Sequence, residues 1–313
     1  MDSAKESAGR VLALFPMLVF LASMAAIGVI SALVLGPTST SDTPCAIPCA
    51  IPYVNPSPYD ELVYHRKYSE GPNVSARAAI LVEASTGTIL YARNEHEIRE
   101  PASITKIMTA IVAIERGDLA DIVQVSANAA RVGGSSLGLA AGQRYKLEEL
   151  IRATMLRSGN DGATAVAEHV GGSVAGFVEL MNARAYSMGL KHTRFANPHG
   201  LSAPGHHSTA YDIALMCIWG FRLRKFADIV GCPELWSSPL AGGQPRLTYS
   251  TNRLLWSLAG ADGVKTGTTS KAGHCLAASA TRDGLQFIAV VLRSGARFHD
   301  AAALLEYGFA NFV

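Results

Sequence analysis

The chain has 313 residues, of which 49% are hydrophobic and 17% charged, enough for one large domain or two small ones. Its 27 lysine and arginine residues nearly balance 25 aspartate and glutamate residues, and the formal net charge is +2 at pH 7. The basic residues are dispersed, which excludes a strong bias towards nucleic acid or an anionic membrane surface.

The N-terminal segment predicts contact with a membrane. Residues 11–35 contain no charged side chain, and roughly 20 apolar residues are enough to span a bilayer. Lys5 and Arg10 precede this stretch, and no lysine or arginine follows it until Arg66, so residues 1–10 are expected in the cytoplasm and the rest outside it. The stretch is either a signal peptide or an anchor. Small residues at 23–25 would suit cleavage, but the apolar run continues for ten residues beyond them, which favours an anchor.

A proline-rich linker is predicted to follow, over residues 36–75. Seven of the fourteen prolines fall within 36–72, which predicts an extended and poorly packed segment. The remainder of the chain, residues 76–313, is then the folded domain.

The cysteines do not point to catalysis or to a metal site. The five are Cys45, Cys49, Cys217, Cys232 and Cys275. The first two lie in the linker with no histidine close enough to complete a metal site, and Cys217 lies in an apolar run that predicts a core position. Disulfides can form outside the cytoplasm, but an odd number leaves at least one cysteine free or bound to another chain.

The folded domain begins and ends with predicted strands. Ala78–Glu83 and Thr88–Arg93 show strand patterns on either side of a turn at 85–87. A helix is predicted at about 102–115, and the pattern over 119–223 is mostly helical. Strands are predicted again at 263–268, 275–281 and 285–292, and a last helix covers about 301–309.

This order of elements predicts an α/β (α+β) fold. Residues 76–100 and 260–313 would form an antiparallel five-stranded sheet flanked by helices, and residues of about 119–225 would form a helical lobe. A cleft between sheet and lobe is a common place for a site.

Three short motifs supply the chemistry of such a site. Ser103-Ile104-Thr105-Lys106 places a serine three residues before a lysine, which puts both side chains on one face of a helix. A serine hydroxyl is a poor nucleophile without an adjacent base, and a lysine becomes a base only when burial or a second cation lowers its pKa. We therefore expect Lys106 to be enclosed and Ser103 to lie at a cleft floor, near the positive end of its helix.

The other two motifs complete the inventory for acylating a serine without a histidine. Ser158-Gly159-Asn160 adds a hydroxyl and an amide, and Lys265-Thr266-Gly267 adds the second cation. Each motif alone also has a plain structural interpretation, as a helix start, an interhelical turn and an exposed strand end respectively. Their occurrence together favours the catalytic interpretation.

Longer segments around these motifs resemble a known family, the low-molecular-mass penicillin-binding proteins of the serine D-Ala-D-Ala carboxypeptidase family. They are residues 84–91, 101–110, 177–201 with Phe-Ala-Asn-Pro-His-Gly-Leu at its end, and 297–309. The resemblance covers about 76–313, which it identifies as a DD-peptidase catalytic domain, and it implies the same fold.

The resemblance implies roles for individual residues. Ser103 would be the acylated nucleophile, Lys106 its general base and Ser158 a proton relay to the leaving amine. Asn160 would bind the substrate peptide and help orient Lys106. The backbone N–H groups of Ser103 and Thr268 would form the oxyanion hole.

The resemblance also implies residues that hold the substrate. Lys265 would keep the site electropositive, and Thr266 with Arg297 would bind the terminal carboxylate of the substrate. An arginine fork suits a carboxylate, although Arg297 could instead be a surface residue paired with Asp300. Gly267 would let the substrate backbone approach its strand closely.

The family implies a serine-type carboxypeptidase that removes the terminal D-Ala of peptidoglycan stem peptides at the extracytoplasmic face of a bacterial membrane. Its partners would be the stem peptide, β-lactams as covalent inhibitors, and the membrane through the N-terminal segment. Nucleic acid is not expected, and neither is a cofactor or a metal. His199, in the Asn-Pro-His-Gly loop, is expected to be structural.

Three other functions remain open. The chain ends soon after its last helix, which resembles shorter family members, some of them DD-endopeptidases that cleave cross-links. A serine β-lactamase would need a glutamate that activates water, and the candidate pair Glu179 and Asn182 lies in a helical pattern. A non-catalytic penicillin-binding sensor would use the same fold.

Overall fold

The structure is a computed structural model that describes residues 61–65, 71–240 and 244–312. The predicted cytoplasmic N-terminus, the membrane segment and most of the linker, with Cys45 and Cys49, lie outside the described residues. No helix within the described ranges has both the length and the apolarity that crossing a bilayer requires.

The strands and helices alternate in groups along the chain. The strands are β1 Val63–Tyr64, β2 Ala78–Glu83, β3 Thr88–Arg93, β4 Ile122–Gln124, β5 Arg144–Lys146, β6 Glu234–Ser237, β7 Arg246–Tyr249, β8 Ala261–Thr269, β9 Gly273–Arg282 and β10 Leu285–Ser294. The helices are α1 Lys106–Arg116, α2 Ala127–Ala130, α3 Leu147–Arg157, α4 Asn160–Gly171, α5 Val174–Ser187, α6 Ala210–Phe221, α7 Arg224–Val230, α8 Leu254–Ser257 and α9 Arg297–Asn311, and a 3-10 helix covers Ala102–Thr105.

Six strands form the main sheet, in the order β1-β3-β2-β10-β9-β8. The five predicted strands are present and pair antiparallel. β1 adds a sixth, parallel to β3, where the Val63 N–H donates to Gly87 O (3.0 Å). β1 falls inside the predicted linker, and Leu62 and Val74 are buried, so the packed structure begins before residue 76. A strand of two residues has no alternation of polar and apolar side chains that a sequence pattern can show.

The sheet lies between two layers of helices, because successive side chains of a strand point to opposite faces. Ile80 and Val82 of β2 join the buried cluster that includes Ile107 of α1 and residues of α6. Leu81 points to the other face and joins the cluster of Leu304 on α9. α6 is buried over nearly its whole surface, in keeping with its apolar composition on all sides.

The predicted helical lobe is present, and short strands that the sequence did not indicate lie within it, as β4 and β5, and after it, as β6 and β7. α3, α4 and α5 pack against α1. β4 pairs with β5, and β6 pairs with β7, both antiparallel. These strands have three or four residues and include polar ones such as Gln124 and Lys146, so their sequence carries no strand period.

Candidate active site

Ser103 lies where a tight turn leads into α1. The predicted helix from residue 102 starts as the 3-10 helix, and α1 itself begins at Lys106. Ala102 has φ of +49°, a strained backbone conformation of the kind that is concentrated at functional sites. Ser103 is only partly buried, so the residue retains access to solvent.

Lys106 is enclosed, as the sequence analysis expects. Its side chain is fully buried, and Nζ lies 3.1 Å from Ser103 Oγ, 2.7 Å from Asn160 Oδ1 and 2.7 Å from His199 O. Burial holds the pKa of Lys106 well below its usual value, and the charge of Lys265 lowers it further, while Asp161 acts in the opposite direction. Such an amine can accept a proton from a serine hydroxyl.

Lys265 provides the second cation. The side chain is 1% exposed, and burial followed by the charge of Arg297 lowers its pKa to about 7. Its Nζ donates to Thr266 O at 3.3 Å. The neighbouring Thr266 hydroxyl shares a hydrogen bond of 2.6 Å with Thr251 Oγ1, which ties β8 to the segment before α8.

The Ser158-Gly159-Asn160 motif is both an interhelical turn and part of the site. Ser158 ends α3 with φ of +68°, and Asn160 is the first residue of α4. The Asn160 amide accepts from Lys106 and donates to Gly133 O at 2.8 Å. The Ser158 side chain is buried, and its hydroxyl makes no hydrogen bond with any other described residue.

Asp161, beside this motif, holds a loop that the sequence analysis did not single out. Its buried carboxylate accepts from the backbone N–H groups of Leu137, Gly138 and Leu139, at 2.9 to 3.1 Å. The same loop supplies Ser135 O, which accepts from the Asn160 N–H at 2.7 Å. The carboxylate therefore fixes the wall against which Asn160 is oriented.

Gly267 lets β8 pass close to the start of the Ser103 turn. A Cβ at Gly267 would lie 2.9 Å from Pro101 O and 3.1 Å from Ser103 N. The sequence analysis expected the missing side chain to admit a substrate backbone. The structure shows that the chain's own backbone already needs that space.

Arg297 is directed to β8 and not to Asp300. Its Nη1 donates to Thr268 Oγ1 at 2.7 Å and to Gly267 O at 3.0 Å. The Asp300 carboxylate instead accepts from Ser75 and Ser294, both at 2.7 Å. Arg297 thus lies with Thr268 at the end of β8, close to the lysine and serine motifs.

The Asn-Pro-His-Gly loop contributes backbone atoms that sequence analysis could not assign. His199 O accepts from Lys106, and Pro198 O accepts from Thr109 Oγ1 at 2.6 Å. Gly200 has φ of +90°, and a Cβ there would lie 1.9 Å from Ala102 O. Burial lowers the pKa of His199 to about 4, so the ring is neutral at physiological pH and serves as an acceptor for the Leu201 N–H.

The described residues include no group of three or more histidine, cysteine or acidic side chains that could bind a metal ion. Glu179 is exposed on α5, and Asn182 is engaged with Val178 O and with the backbone of Phe195, so both lie in a helix, as their sequence pattern indicates. Cys217 is in the core, as predicted, and the three described cysteines are all free thiols.

Comparison with known protein sequences identifies relatives of this chain. A family model described as Peptidase_S11, D-alanyl-D-alanine carboxypeptidase, matches residues 65–296. The D-alanyl-D-alanine carboxypeptidases DacF of Bacillus subtilis and DacC of Escherichia coli are 37% and 38% identical over 76% and 78% of this chain. This chain covers 63% of each, less than two thirds of their length. DacB2 of Mycobacterium tuberculosis, of which 84% is covered, is 30% identical.

Solved structures share the fold. The DD-transpeptidase of Streptomyces K15 superposes with a TM-score of 0.74 at 30% identity, covering 77% of this chain and 100% of that one. The D-alanyl-D-alanine carboxypeptidase DacD of Francisella tularensis superposes with a TM-score of 0.72 at 31% identity, covering 77% and 72%.

Proposed function

Because this chain belongs to the D-alanyl-D-alanine carboxypeptidase family of serine peptidases, we propose that it removes the terminal D-Ala of peptidoglycan stem peptides through an acyl-enzyme on Ser103. The observation that carries the proposal is the 3.1 Å approach of a fully buried lysine amine, Lys106 Nζ, to Ser103 Oγ. A buried lysine beside a serine hydroxyl has the geometry of a base and its nucleophile.

In the acylation step, Ser103 Oγ attacks the carbonyl carbon of the D-Ala-D-Ala bond and its proton passes to neutral Lys106. The negative charge on the former carbonyl oxygen is stabilised by the backbone N–H groups of Ser103 and Thr268. The close passage of β8 beside Ser103 N at Gly267 supports this pair of donors.

The C–N bond then breaks, and the departing D-Ala amine needs a proton. Lys106 returns the proton it took, with Ser158 as the relay. The Ser158 hydroxyl suits a relay because it makes no hydrogen bond with any other described residue and can therefore bond to the substrate amine and to Lys106. The Asn160 amide holds Lys106 and faces the stem peptide.

Deacylation repeats the proton transfers with water as the nucleophile. Lys106 takes a proton from water as the oxygen attacks the ester carbonyl, and Ser103 Oγ leaves with a proton. The product is a stem peptide shorter by one residue. β-Lactams would acylate Ser103 in the same way, but the amine of the opened ring stays attached to the acyl group, so the adduct would block the site.

The terminal carboxylate of the substrate would be bound by Thr266 and Arg297 in the field of Lys265. Two basic side chains on or against β8, Lys265 and Arg297, support this assignment. The planar fork of Arg297 can hold both carboxylate oxygens, and its contact with Thr268 Oγ1 keeps it beside β8.

The proposal extends to the organisation of the chain. Residues 1–10 would be cytoplasmic, 11–35 an anchor or a signal peptide, 36–75 a linker, and 76–313 the catalytic domain outside the membrane. The charge asymmetry around residues 11–35 supports that orientation.

A second candidate function is transfer of the acyl group to an amine. The structural likeness to a protein named DD-transpeptidase favours it, because hydrolysis and transfer share the acyl-enzyme and differ only in the acceptor. Cleavage of an existing cross-link, the endopeptidase reaction, differs only in the leaving group.

One product analysis separates these reactions. The purified full chain is mixed with a pentapeptide muropeptide, with a cross-linked dimer, and with the pentapeptide plus a glycine acceptor, beside Ser103→Ala. Mass spectrometry is expected to show loss of one D-Ala from the pentapeptide. Cleavage of the dimer would establish an endopeptidase, a glycine adduct a transpeptidase, and no product at all would contradict the enzyme assignment.

A further inference from the structure

A cavity of about 280 Å³ is lined by three arginines, Arg77, Arg99 and Arg293. Arg77 precedes β2 and Arg293 lies near the end of β10, and the Arg77 N–H donates to Leu292 O at 3.0 Å. The side chains therefore start from neighbouring strands at one end of the sheet. Three like charges around one space repel each other, and an anion in that space would relieve the repulsion.

The arginines have few partners of opposite charge. Within the described residues, the one ion pair they form joins Arg99 to Glu97. The side chains of Arg77 and Arg293 donate no hydrogen bond to a described residue, and Arg99 Nε is buried with no partner. A buried donor without an acceptor is unusual, and an ion held against it is one explanation.

The backbone is distorted in a way that places Arg293. A β-bulge between Val291 and Ser294 sets two residues of β10 opposite one residue of β9, and Arg293 has φ of +51° within it. A Cβ at Gly273 would lie 3.1 Å from Arg293 Cγ, so the glycine makes room for this side chain. Bulges re-aim side chains, and strain of this kind is typical of functional positions.

The cavity is close to the proposed carboxylate-binding residues. Ser294 pairs with His274, and His274 pairs with Thr268, so the three lie in one row across the sheet. Adjacent strands are about 4.8 Å apart, which puts the bulge about 10 Å from Thr268.

We propose that Arg77, Arg99 and Arg293 form an oxyanion-binding site that takes a carboxylate or a phosphate group. Guanidinium forks match both groups in geometry and charge. Two sources supply such a group. One is a second carboxylate of the stem peptide, a source that rests on the proposed function. An extended chain covers about 3.3 Å per residue, so a stem that crosses the end of the sheet from Thr268 spans the distance to the bulge in about three residues. The other is free phosphate.

The site is tested first without catalysis, by titrating inorganic phosphate into the full chain and measuring heats of binding. The double variant Arg77→Gln with Arg293→Gln is expected to bind phosphate at least about tenfold more weakly, since two charged hydrogen-bond donors are lost. Arg116→Gln, which removes an exposed arginine at the end of α1, is the matched control and keeps wild-type binding. Equal binding by wild type and the double variant, or no binding by either, overturns the site.

The source is tested with two pentapeptides that differ only in whether the second carboxylate is free or amidated. If the stem peptide is the source, the double variant raises KM about tenfold for the free acid and leaves KM for the amide unchanged, with kcat unaltered. An equal rise in KM for both peptides would show that the stem peptide does not supply the group that binds. If wild type cleaves neither peptide while penicillin still acylates Ser103, the proposed reaction fails, and the phosphate titration still decides the site.

Discussion

At the residue scale, acylation of Ser103 requires Lys106 to be neutral when it accepts the proton. Burial lowers the pKa of Lys106 first, and Lys265 lowers it further, so the fraction of neutral amine falls as pH falls through that pKa. The rate of acylation by penicillin is therefore expected to decrease on the acid side. A stopped-flow pH profile of the acylation rate measures the midpoint.

Replacing Lys265 is expected to move the midpoint of the pH profile of acylation. In Lys265→Met the neighbouring charge is lost, so the pKa of Lys106 rises and the acid limb of the profile shifts to higher pH. Lys271→Met removes an exposed lysine near the same strand and is the control, with no shift expected. A Lys265→Met profile that superposes on the wild type would show that Lys265 does not act on Lys106.

Arg297 gives a second test at this scale. Arg297→Gln removes the fork from the end of β8, and we expect kcat/KM for the pentapeptide to fall by roughly tenfold to a hundredfold. A peptide with an amidated C-terminus should lose little, because it has no terminal carboxylate to bind. Equal losses for both peptides would assign Arg297 to the support of β8 alone.

At the scale of elements, the site is formed where backbone segments touch. Gly200 and Ala102 meet so closely that Gly200→Ala forces the loop and the 3-10 helix apart. We expect unfolding free energy to fall by about 1–3 kcal/mol and acylation of Ser103 to slow. Gly284 has a similar positive φ, but a Cβ there would have no atom within 4 Å. Gly284→Ala therefore measures the cost of backbone strain without a collision. If both variants acylate equally fast, the contact does not shape the site.

Sequence patterns predicted the elements that have a clear period, and they missed those that do not. β2 and β3 were predicted to the residue, and β8, β9 and β10 extend one or two residues beyond their predicted ends. β1 and the four short strands β4 to β7 have too few residues to show alternation. In the site, the three motifs could be predicted from the sequence because their chemistry lies in their side chains. His199 O and Gly133 O were not, because every residue has a carbonyl and only the fold selects which one is used.

At the scale of the whole molecule, buried histidines link stability to pH. His206 joins the loop to the 3-10 helix: Nδ1 accepts from the Ala196 N–H at 3.0 Å, which leaves Nε2–H to donate to Thr105 Oγ1 at 2.7 Å. Burial lowers its pKa from 6.5 to about 4. Below pH 6.5 His206 binds a proton in the unfolded chain but stays neutral in the folded one. Stability therefore falls as pH decreases from 6.5 towards 4.

This histidine accounts for a loss of up to about 3 kcal/mol over that range. Urea unfolding of His206→Asn is expected to show a lower stability at pH 7 and a shallower decline towards pH 4, because the titrating group is gone. His192→Asn, at an exposed position, should keep the wild-type slope. An unchanged slope in His206→Asn would remove this residue from the pH response.

The role of Lys106 as the base that activates Ser103 can be tested with one substitution. Lys106→Arg keeps a long cationic side chain, but a guanidinium stays protonated and cannot accept the proton. The measurement is the rate at which penicillin adds to the full chain, followed by intact-mass spectrometry with the modified residue mapped. We expect one adduct on Ser103 in the wild type and a rate at least about a hundredfold lower in Lys106→Arg. Acylation of Lys106→Arg at the wild-type rate, or an adduct on another residue, would contradict that role.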